Sequence, residues 1–424
     1  MNGNLLIKGG RLIDPANGID DQLDLLVQDG KVGRIGKDLP AAESTETMDA
    51  SGRVVCPGLI DVHVHLRVPG QEHKETIATG TLAAVRGGFT AVCCMPNTSP
   101  PLHSRAEIEH VLRRNQEEGH CRVYPVAAAS RDLKHETLVE MADVKEAGAV
   151  AVCDDAYPIQ NPGFLRRMMY YATMVDLPVV LHCEDKGLSD GGVMNEGYVA
   201  TLLGLKGIPR TSQEIAVSRS LRLAQETNCR IHIQHVSTRG EVELIQEAKS
   251  RGTRVTTEVC PHHFSMTDEA CITYDSNTKM NPPLRTQDDV DAVIEGLKDG
   301  TIDCIATDHA PHALEEKEVE FDAAPFGIVG LETALGLSVC KLVDPGHLTL
   351  PEVIAKLTAE PAKCMGIPGG SLGLGDPADI TIFNPNSRWT VDAGKLSSLS
   401  KNMPFHGWEL PAHIHAVLVE GSRV

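Results

Sequence analysis

The sequence predicts an α/β fold, namely a (β/α)8 TIM barrel with a small β-sandwich domain formed from both chain termini. In the middle of the chain, eight short apolar runs alternate with helix-like segments. Such alternation indicates a parallel sheet, and eight repeats indicate closure into a barrel. The two ends of the chain are glycine-punctuated and rich in β-forming residues, and 424 residues leave room for both parts.

The apolar runs have the length of strands, and amphipathic segments separate them. Two of these segments, residues 106–119 and 137–148, have apolar side chains three and four residues apart and end on glycine, which predicts helices. The eight runs are residues 59–65, 89–95, 121–127, 149–153, 177–182, 229–235, 253–259 and 302–307.

The terminal segments differ from the middle, because their apolar and polar residues alternate as in half-buried strands. NLLIKGG and DLLVQDGKVGRIG near the start resemble DPADITIFNP and HIHAVLVEGSRV near the end in this respect. We therefore expect residues 1–57 and 368–424 to form one small β-domain, and residues 58–367 to form the barrel.

Composition excludes several classes of partner. The 58 acidic residues outnumber the 39 basic ones, and the formal net charge of −19 argues against nucleic-acid and membrane partners. Most of the 12 cysteines lie in apolar runs without a CxxC pair, which predicts reduced thiols and a cytoplasmic protein. The first residues are too polar for a signal peptide, and no apolar run approaches the roughly 20 residues of a membrane span.

Six side chains that can bind metals lie at the same end of five apolar runs. The first two form an HxH pair within a predicted strand, where side chains two residues apart share a face. In a parallel barrel the carboxyl ends of all strands open on one rim, so we expect all six to converge there. Imidazole and carboxylate are the ligands that catalytic zinc prefers, and an aspartate can bridge two ions. The six are His63, His65, Asp155, His182, His235 and Asp308.

Four further polar residues fall at the same predicted rim: Arg67, Asn97, Asn281 and His312. Arg67 has the planar fork that suits a carboxylate, although a surface ion pair is an alternative role. Amide side chains can bind the donors and acceptors of a cyclic amide, but both asparagines also suit ordinary turns. Residues 312–327 form a long acidic loop that is either a lid over the rim or a surface loop.

Other histidines and one glutamate have less specific interpretations. His232 lies three residues before His235, so we expect it to face the opposite way as a packed or hydrogen-bonded side chain. His262 and His263 follow the seventh run, but the predicted ligand set does not require them. Glu184 fits equally well as a residue that orients a metal ligand or as a surface residue.

Several segments resemble motifs of the class I bacterial dihydroorotases, and they occur in the same order over essentially the whole chain. KMNPPLR, TDHAPH and PFGIVGLE are the most specific of them. The segments are DVHVHLRVPG (61–70), MPNT (95–98), DDA (154–156), HCED (182–185), HVST (235–238), KMNPPLR (279–285), IATDHAPH (305–312) and PFGIVGLET (325–333).

The resemblance implies a zinc-dependent hydrolase that interconverts dihydroorotate and N-carbamoyl-L-aspartate in pyrimidine biosynthesis. One or two zinc ions, with two as the expected number, would be bound by the six residues above, with Asp155 bridging and Asp308 also acting as the catalytic acid/base. The substrate would contact His65, Arg67, Asn97, Asn281, His312, Phe326 and Gly327. A homodimer, and association with aspartate transcarbamoylase, are expected by the same analogy.

Two positions depart from the family pattern. Ala156 replaces a glycine, and alanine would be strained if that position needed a positive φ. Val68 replaces a glutamate.

Two other functions remain open. A hydantoinase or allantoinase would need no cation for a ring carboxylate, and such relatives bridge their metals with a carboxylated lysine, which is missing from the fourth run. A non-catalytic scaffold for aspartate transcarbamoylase would lack metal ligands.

Overall fold

The N-terminal segment forms strands, as its alternating pattern predicts. The computed structural model describes residues 4–42 and 45–424. Strand β1 pairs antiparallel with β2 and parallel with β4 and β5. Asp29 and Gly30 link β2 to β3, and both have the positive φ that a tight hairpin requires. The strands are β1 (Leu5–Asp14), β2 (Ile19–Gln28), β3 (Lys31–Gly36), β4 (Glu46–Asp49) and β5 (Val54–Pro57).

Eight parallel strands then form the barrel. Seven of them lie within one of the eight apolar runs, and the third, β8 (Arg122–Ala128), extends one residue beyond its run. They pair in chain order, so the predicted barrel is confirmed. These strands are β6 (Leu59–Val64), β7 (Phe89–Cys94), β8 (Arg122–Ala128), β9 (Ala151–Cys153), β10 (Val179–Leu181), β13 (Ile231–Ile233), β14 (Val255–Val259) and β15 (Cys304–Ile305). Two short strands between β10 and β13, β11 (Met194–Asn195) and β12 (Gly207–Ile208), pair separately.

The last barrel strand returns to the first just beyond β15. The His65 amide donates to the His309 carbonyl over 2.8 Å, and Val64 and His309 form a parallel bridge. Inside the barrel, side chains such as Ile60 and Val180 pack with residues of a late helix and the chain that follows it, including Met365 and Ile367. This helix and the chain after it lie against the start of β6, so they cover the end of the barrel at which the strands begin. The opposite rim therefore carries the polar side chains.

Amphipathic helices surround the barrel, and the segment 106–119 is confirmed as a helix that ends at Gly119. The segment 137–148 is helical only from Met141, because residues 137–139 pair with the chain after β8. No helix in the described ranges is long and apolar enough to cross a membrane. The helices are α1 (Ile77–Arg86), α2 (Arg105–Glu118), α3 (Met141–Glu146), α4 (Pro162–Val175), α5 (Lys186–Ser189), α6 (Tyr198–Leu203), α7 (Thr211–Thr227), α8 (Arg239–Ser250), α9 (Gln287–Asp299), α10 (Leu314–Lys317), α11 (Ala334–Ser338), α12 (Leu350–Leu357) and α13 (Ala359–Met365).

The C-terminal strands complete the sheet that the N-terminal strands begin. They are β16 (Ile380–Thr390), β17 (Glu409–Val419) and β18 (Ser422–Arg423). β16 pairs antiparallel with β5, which joins the two ends of the chain as predicted. All eight strands belong to one hydrogen-bonded sheet, and it folds over its own apolar core, because the Val32 amide on β3 donates to the Asp376 carbonyl before β16.

Apolar packing joins this terminal sheet to the barrel. Phe383 of β16 is fully buried and belongs to the same core cluster as Phe89 of β7 and Leu59 of β6. At the edge of the contact, Arg122 of β8 forms ion pairs with Asp379 and Glu420. The terminal sheet and the barrel therefore share part of one core.

Replacing Phe383 with alanine should lower the free energy of unfolding by about 3–5 kcal/mol, because it leaves a cavity where the two parts meet. Urea unfolding would measure the loss. The matched control is Tyr198→Ala, since Tyr198 is 80% exposed, and its effect should stay within about 0.5 kcal/mol. Equal stability of the Phe383→Ala and wild-type proteins would contradict this description of the contact.

Candidate metal centre and active site

The six predicted ligands meet at the rim where the barrel strands end. His63 and His65 both direct Nε2 at the Asp308 carboxylate, 3.3 and 3.1 Å from its Oδ1. The same two nitrogens lie 3.3 and 3.4 Å from Oδ2 of Asp155. The HxH pair therefore shares one face, as its spacing predicts, and four donor groups surround one point.

Asp155 also belongs to a second group of donors. Its other oxygen, Oδ1, lies 3.1 Å from Nδ1 of His182, and that nitrogen lies 2.9 Å from Nε2 of His235. His63, His65 and Asp155 form one set of donors compact enough to hold an ion, and Asp155, His182 and His235 form another. One carboxylate thus faces two potential ion positions.

Three residues at the rim have an unusual backbone conformation. Arg67, His235 and Asp308 have φ values of 60°, 34° and 49°, in the left-handed region that residues with a Cβ rarely adopt. Non-glycine residues held in this region are often found at functional sites. Ala156 has no positive φ, so the strain anticipated for alanine at this position does not arise.

Burial and neighbouring charges set the protonation of the donors. Burial is the largest influence on the pKa of His182 and would lower it, but the hydrogen bonds to Asp155 and Glu184 outweigh it and raise the pKa to about 9. For His235, burial and the charges of His182 and His63 lower the pKa to about 3. His235 is therefore neutral, and its buried Nδ1 has no hydrogen-bond partner.

Glu258 is a buried residue of this site that the sequence analysis missed. Its Oε1 lies 2.5 Å from Nδ1 of His63, and its Oε2 lies 3.0 Å from Nε2 of His232. Burial would raise the pKa of Glu258, but His63 and His232 outweigh it and lower the pKa to about 2. A carboxylate here fixes the orientation of His63 and makes Nε2 a stronger ligand. A charged residue within the otherwise uncharged strand β14 was the available signal.

The prediction that the His232 side chain points away from the site is wrong. His232 pairs with Val180 of the barrel interior and contacts Glu258, so it faces the inside of the barrel. His235 also reaches the site, because the chain leaves strand geometry after Ile233 and has a positive φ at His235. The alternation of faces applies only within the strand. The expectation that His232 is a hydrogen-bonded, packed side chain is confirmed.

Asn97, Glu184 and Asn281 contact the ligands or one another. Oδ1 of Asn97 lies 2.8 Å from Nδ1 of His65, and Oε2 of Glu184 lies 3.3 Å from Nε2 of His182. The Asn281 amide donates to Glu184 over 3.0 Å. Glu184 is buried, so it orients a potential ligand and is not a surface residue. Both asparagines lie at the rim, where the sequence analysis placed them.

Arg67 and His312 lie together on another side of the rim. Arg67 is only 7% exposed, which excludes the surface ion pair considered for it. Its Nε donates to the Pro311 carbonyl, and its Nη2 lies 3.5 Å from Nε2 of His312. Nε2 of His312 in turn donates to the Phe326 carbonyl over 2.9 Å. A guanidinium and an imidazole thus border the same part of the site.

Two lysines hold the loop that follows the last barrel strand. Nζ of Lys317 donates to the carbonyls of Pro325 and Gly327, and Nζ of Lys279 donates to the Asp322 carbonyl. Gly327 has a φ of 124°, and a Cβ there would lie 2.7 Å from the Cβ of Ala310. Glycine is therefore required where this loop approaches the rim. A cavity of about 560 Å³ adjoins the loop and His312.

Several solved structures that share this architecture are hydantoinases or dihydropyrimidinases. The fold matches that of an L-hydantoinase (dihydropyrimidinase) from Arthrobacter aurescens with a TM-score of 0.89 and 27% identity, covering 99% of this chain and 95% of that one. A dihydropyrimidinase from Brevibacillus agri has the same fold, with a TM-score of 0.88 at 23% identity, over 99% and 95% of the two chains. Together with the donor clusters at the rim, this likeness defines a cyclic amide hydrolase of the metal-dependent barrel type.

Sequence comparison narrows this class to one family. A family model described as dihydro-orotase-like matches residues 52–241. The chain is 54% identical to a dihydroorotase from Pelotomaculum thermopropionicum over 99% of this chain and 98% of that protein. It is 52% identical to a dihydroorotase from Geobacter metallireducens over 99% of both. The chain belongs to the dihydroorotase family.

Changing Glu258 to glutamine should weaken metal binding about 10–100-fold, because the neutral amide no longer supports His63 from behind. Metal content after dialysis against graded chelator would measure the effect. Glu243→Gln is the control, because Glu243 is exposed on α8, and it should bind metal like the wild type. Unchanged metal affinity in Glu258→Gln would show that Glu258 does not support the ligand.

Proposed function

We propose that the chain catalyses the reversible hydrolysis of (S)-dihydroorotate to N-carbamoyl-L-aspartate, with cyclisation as the biosynthetic direction in pyrimidine formation. The observation that carries this proposal is the position of Asp155, whose two oxygens face two sets of imidazoles, with Asp308 beside the first set. The named relatives, all dihydroorotases, support the choice of substrate.

We propose zinc as the metal, with two ions per chain. The donor chemistry fits, since imidazoles and carboxylates are its usual catalytic ligands. His235 is neutral, and its Nε2, which lies 2.9 Å from Nδ1 of His182 in the second donor set, is suited to binding a cation. His63, His65 and Asp308 would hold the first ion, His182 and His235 the second, and Asp155 would bridge them. Zinc held here supplies Lewis-acid chemistry, which polarises a carbonyl group and makes water more acidic.

Asp308 is proposed as the group that moves the proton. It accepts a proton from the water that attacks the ring carbonyl, and it returns that proton to the ring nitrogen as the carbon–nitrogen bond breaks. Burial would raise the pKa of Asp308, but His63 and His65 outweigh it and hold the pKa below its usual range. The carboxylate is therefore ionised and can accept the proton at neutral pH.

The remaining rim residues are proposed to bind the substrate. Arg67 faces the ring carboxylate, because a buried guanidinium needs an anionic partner. His312 and Asn281 supply polar groups near it, and Phe326 and Gly327 contribute backbone groups. Asn97 contacts His65, so it orients a ligand as well as facing the substrate.

A hydantoinase activity is the second candidate, because the solved neighbours with this fold are hydantoinases. Arg67 disfavours it, since a neutral hydantoin ring offers no carboxylate. Asp155 after β9 also disfavours it, because no lysine lies in that strand. A purely structural scaffold is disfavoured because all six donors are present and in contact.

We also propose that the domain boundaries lie near residues 57 and 368, that the protein is cytoplasmic, and that it forms a homodimer. Association with aspartate transcarbamoylase is proposed as well, by analogy with the family. The free state of all 12 cysteines in the structure supports a reducing compartment. Exposed apolar side chains such as Met174 on α4 support self-association, which light scattering would test.

The deciding experiment combines metal analysis of the purified protein with an assay on a panel of dihydroorotate, dihydrouracil, hydantoin and allantoin. The proposal expects zinc in the protein and turnover of dihydroorotate alone or by far the fastest. Faster hydrolysis of hydantoin would support the second candidate. No turnover of any member by the zinc-loaded protein would leave the scaffold as the better interpretation.

Replacing Asp308 with alanine should lower kcat by at least about 10²-fold, because it removes the group that moves the proton. Metal content should stay near normal, since Asp155 and four histidines remain as donors. Steady-state kinetics with parallel metal analysis would show this. Asp288→Ala serves as the control, because Asp288 is exposed at the surface and pairs with Arg239. Full activity of Asp308→Ala would remove Asp308 from the mechanism.

Arg67→Ala should chiefly raise KM for dihydroorotate, by roughly 10-fold or more, because the charged hydrogen bonds to its carboxylate are lost. Arg34→Ala on strand β3, where the side chain is exposed, is the control and should leave KM unchanged. An unaltered KM in Arg67→Ala would show that the ring carboxylate binds elsewhere.

A further inference from the structure

A third group of potential metal ligands lies just after strand β14. Cys260, His262 and His263 are all buried, and one donor atom from each lies within 4.8 Å of the others. None of the three belongs to the donor sets that share Asp155. They are also outside the roles proposed above for the catalytic reaction.

The hydrogen bonding of His263 leaves one ring nitrogen ready to bind a cation. Its Nε2 lies 3.0 Å from the carbonyl oxygen of Pro282. Since that carbonyl can only accept, the proton must be on Nε2, and Nδ1 has a free lone pair. This nitrogen is buried and has no hydrogen-bond partner. A backbone carbonyl behind a histidine is the usual arrangement for a metal ligand.

His262 presents a second unpartnered nitrogen. Its Nε2 is buried without a hydrogen-bond partner, and its ring lies against that of His263 with centroids 4.3 Å apart. An unsatisfied buried polar group costs about 1–3 kcal/mol, so a ligand shared by the two imidazoles would stabilise this part of the fold. Pairing with a cation would satisfy both nitrogens at once.

Local backbone structure brings the three side chains together. Pro261 starts a single 3-10 turn, Pro261–Phe264, directly after Cys260. Cys260 precedes this turn, and the His263 amide donates to the Cys260 carbonyl over 2.9 Å, which holds the two residues close together. The proline also fixes the start of the turn. The arrangement is therefore set by the backbone and does not depend on flexible side chains.

We propose that Cys260, His262 and His263 form an additional metal site for a zinc-class cation. Two imidazoles and a thiolate suit zinc or a similar transition metal and do not suit magnesium or calcium, which prefer oxygen ligands. Binding releases the thiol proton of Cys260 to solvent. The site is distinct from the catalytic donors, which contain no sulfur.

An ion at this site would stabilise the loop that carries Asn281. His263 donates to Pro282, the next residue, and Asn281 contacts Glu184 behind His182. Fixing the His263 ring therefore fixes one wall of the rim. The proposed role of this site is structural, since its three ligands have no part in the reaction proposed above.

Cobalt spectroscopy tests the proposal, because only a sulfur ligand gives a thiolate-to-cobalt charge-transfer band in the near ultraviolet. The full-length wild-type protein would be produced in cobalt-supplemented medium and compared with Cys260→Ala. Cys271→Ala is the matched control, since Cys271 is also buried but lies outside the cluster. We expect the band in the wild type and the control, and its loss, with about one cobalt ion fewer per chain, in Cys260→Ala.

A wild-type protein without the band overturns the proposal, whatever its activity. A band that persists in Cys260→Ala, or that Cys271→Ala also removes, overturns it as well. Should Cys260→Ala not fold, His262→Gln replaces it, and a band unchanged in position and intensity counts against the site. Dihydroorotate turnover is measured in parallel, so that failure of this site is distinguished from failure of the catalytic proposal.

Discussion

The arrangement of the whole rim depends on the Asp155 carboxylate, whose two oxygens face different sets of imidazoles. Oδ2 approaches His63 and His65, and Oδ1 approaches His182. Burying an anion is costly unless cationic or hydrogen-bonding partners compensate it. Several histidines from different strands provide this compensation, and the barrel brings them together. A bound cation would stabilise the same arrangement further.

Two further buried carboxylates, beneath the rim, also contact imidazoles. Glu258 lies between His63 and His232, and Glu184 lies between His182 and Asn281. Each carboxylate holds an imidazole in one orientation from behind. Because these partners are buried and paired, the imidazoles keep their directions before any ligand binds. Such preorganisation is what places donor atoms accurately enough for catalysis.

The alternation of eight apolar runs with amphipathic segments was enough to predict the barrel. Each apolar run coincides with a strand to within one residue at its C-terminal boundary or includes it entirely, because strands buried on both faces are continuous apolar segments. The meeting of the rim residues could also be predicted, since all parallel strands of a barrel end on the same side. The helix expected over 137–148 is shorter, because residues 137–139 pair with the chain after β8. The pattern does not reveal such an irregular backbone pairing.

The direction of single side chains was harder to predict. His232 and His235 both reach the interior, since the strand ends between them, and alternation cannot show where a strand stops. Glu258 was missed because one acidic residue in a strand indicates a site only when its partners are known. The sequence pattern also does not show that Cys260, His262 and His263 lie together, because their proximity depends on a single 3-10 turn.

Anomalous X-ray scattering at the zinc edge, from crystals of the zinc-loaded protein, tests the central claim most directly. The account predicts peaks on both sides of the Asp155 carboxylate, each about 2.0–2.2 Å from imidazole nitrogens and carboxylate oxygens at the barrel rim. A zinc-loaded crystal with no peak beside Asp155, or with the imidazoles turned away from it, would contradict the account.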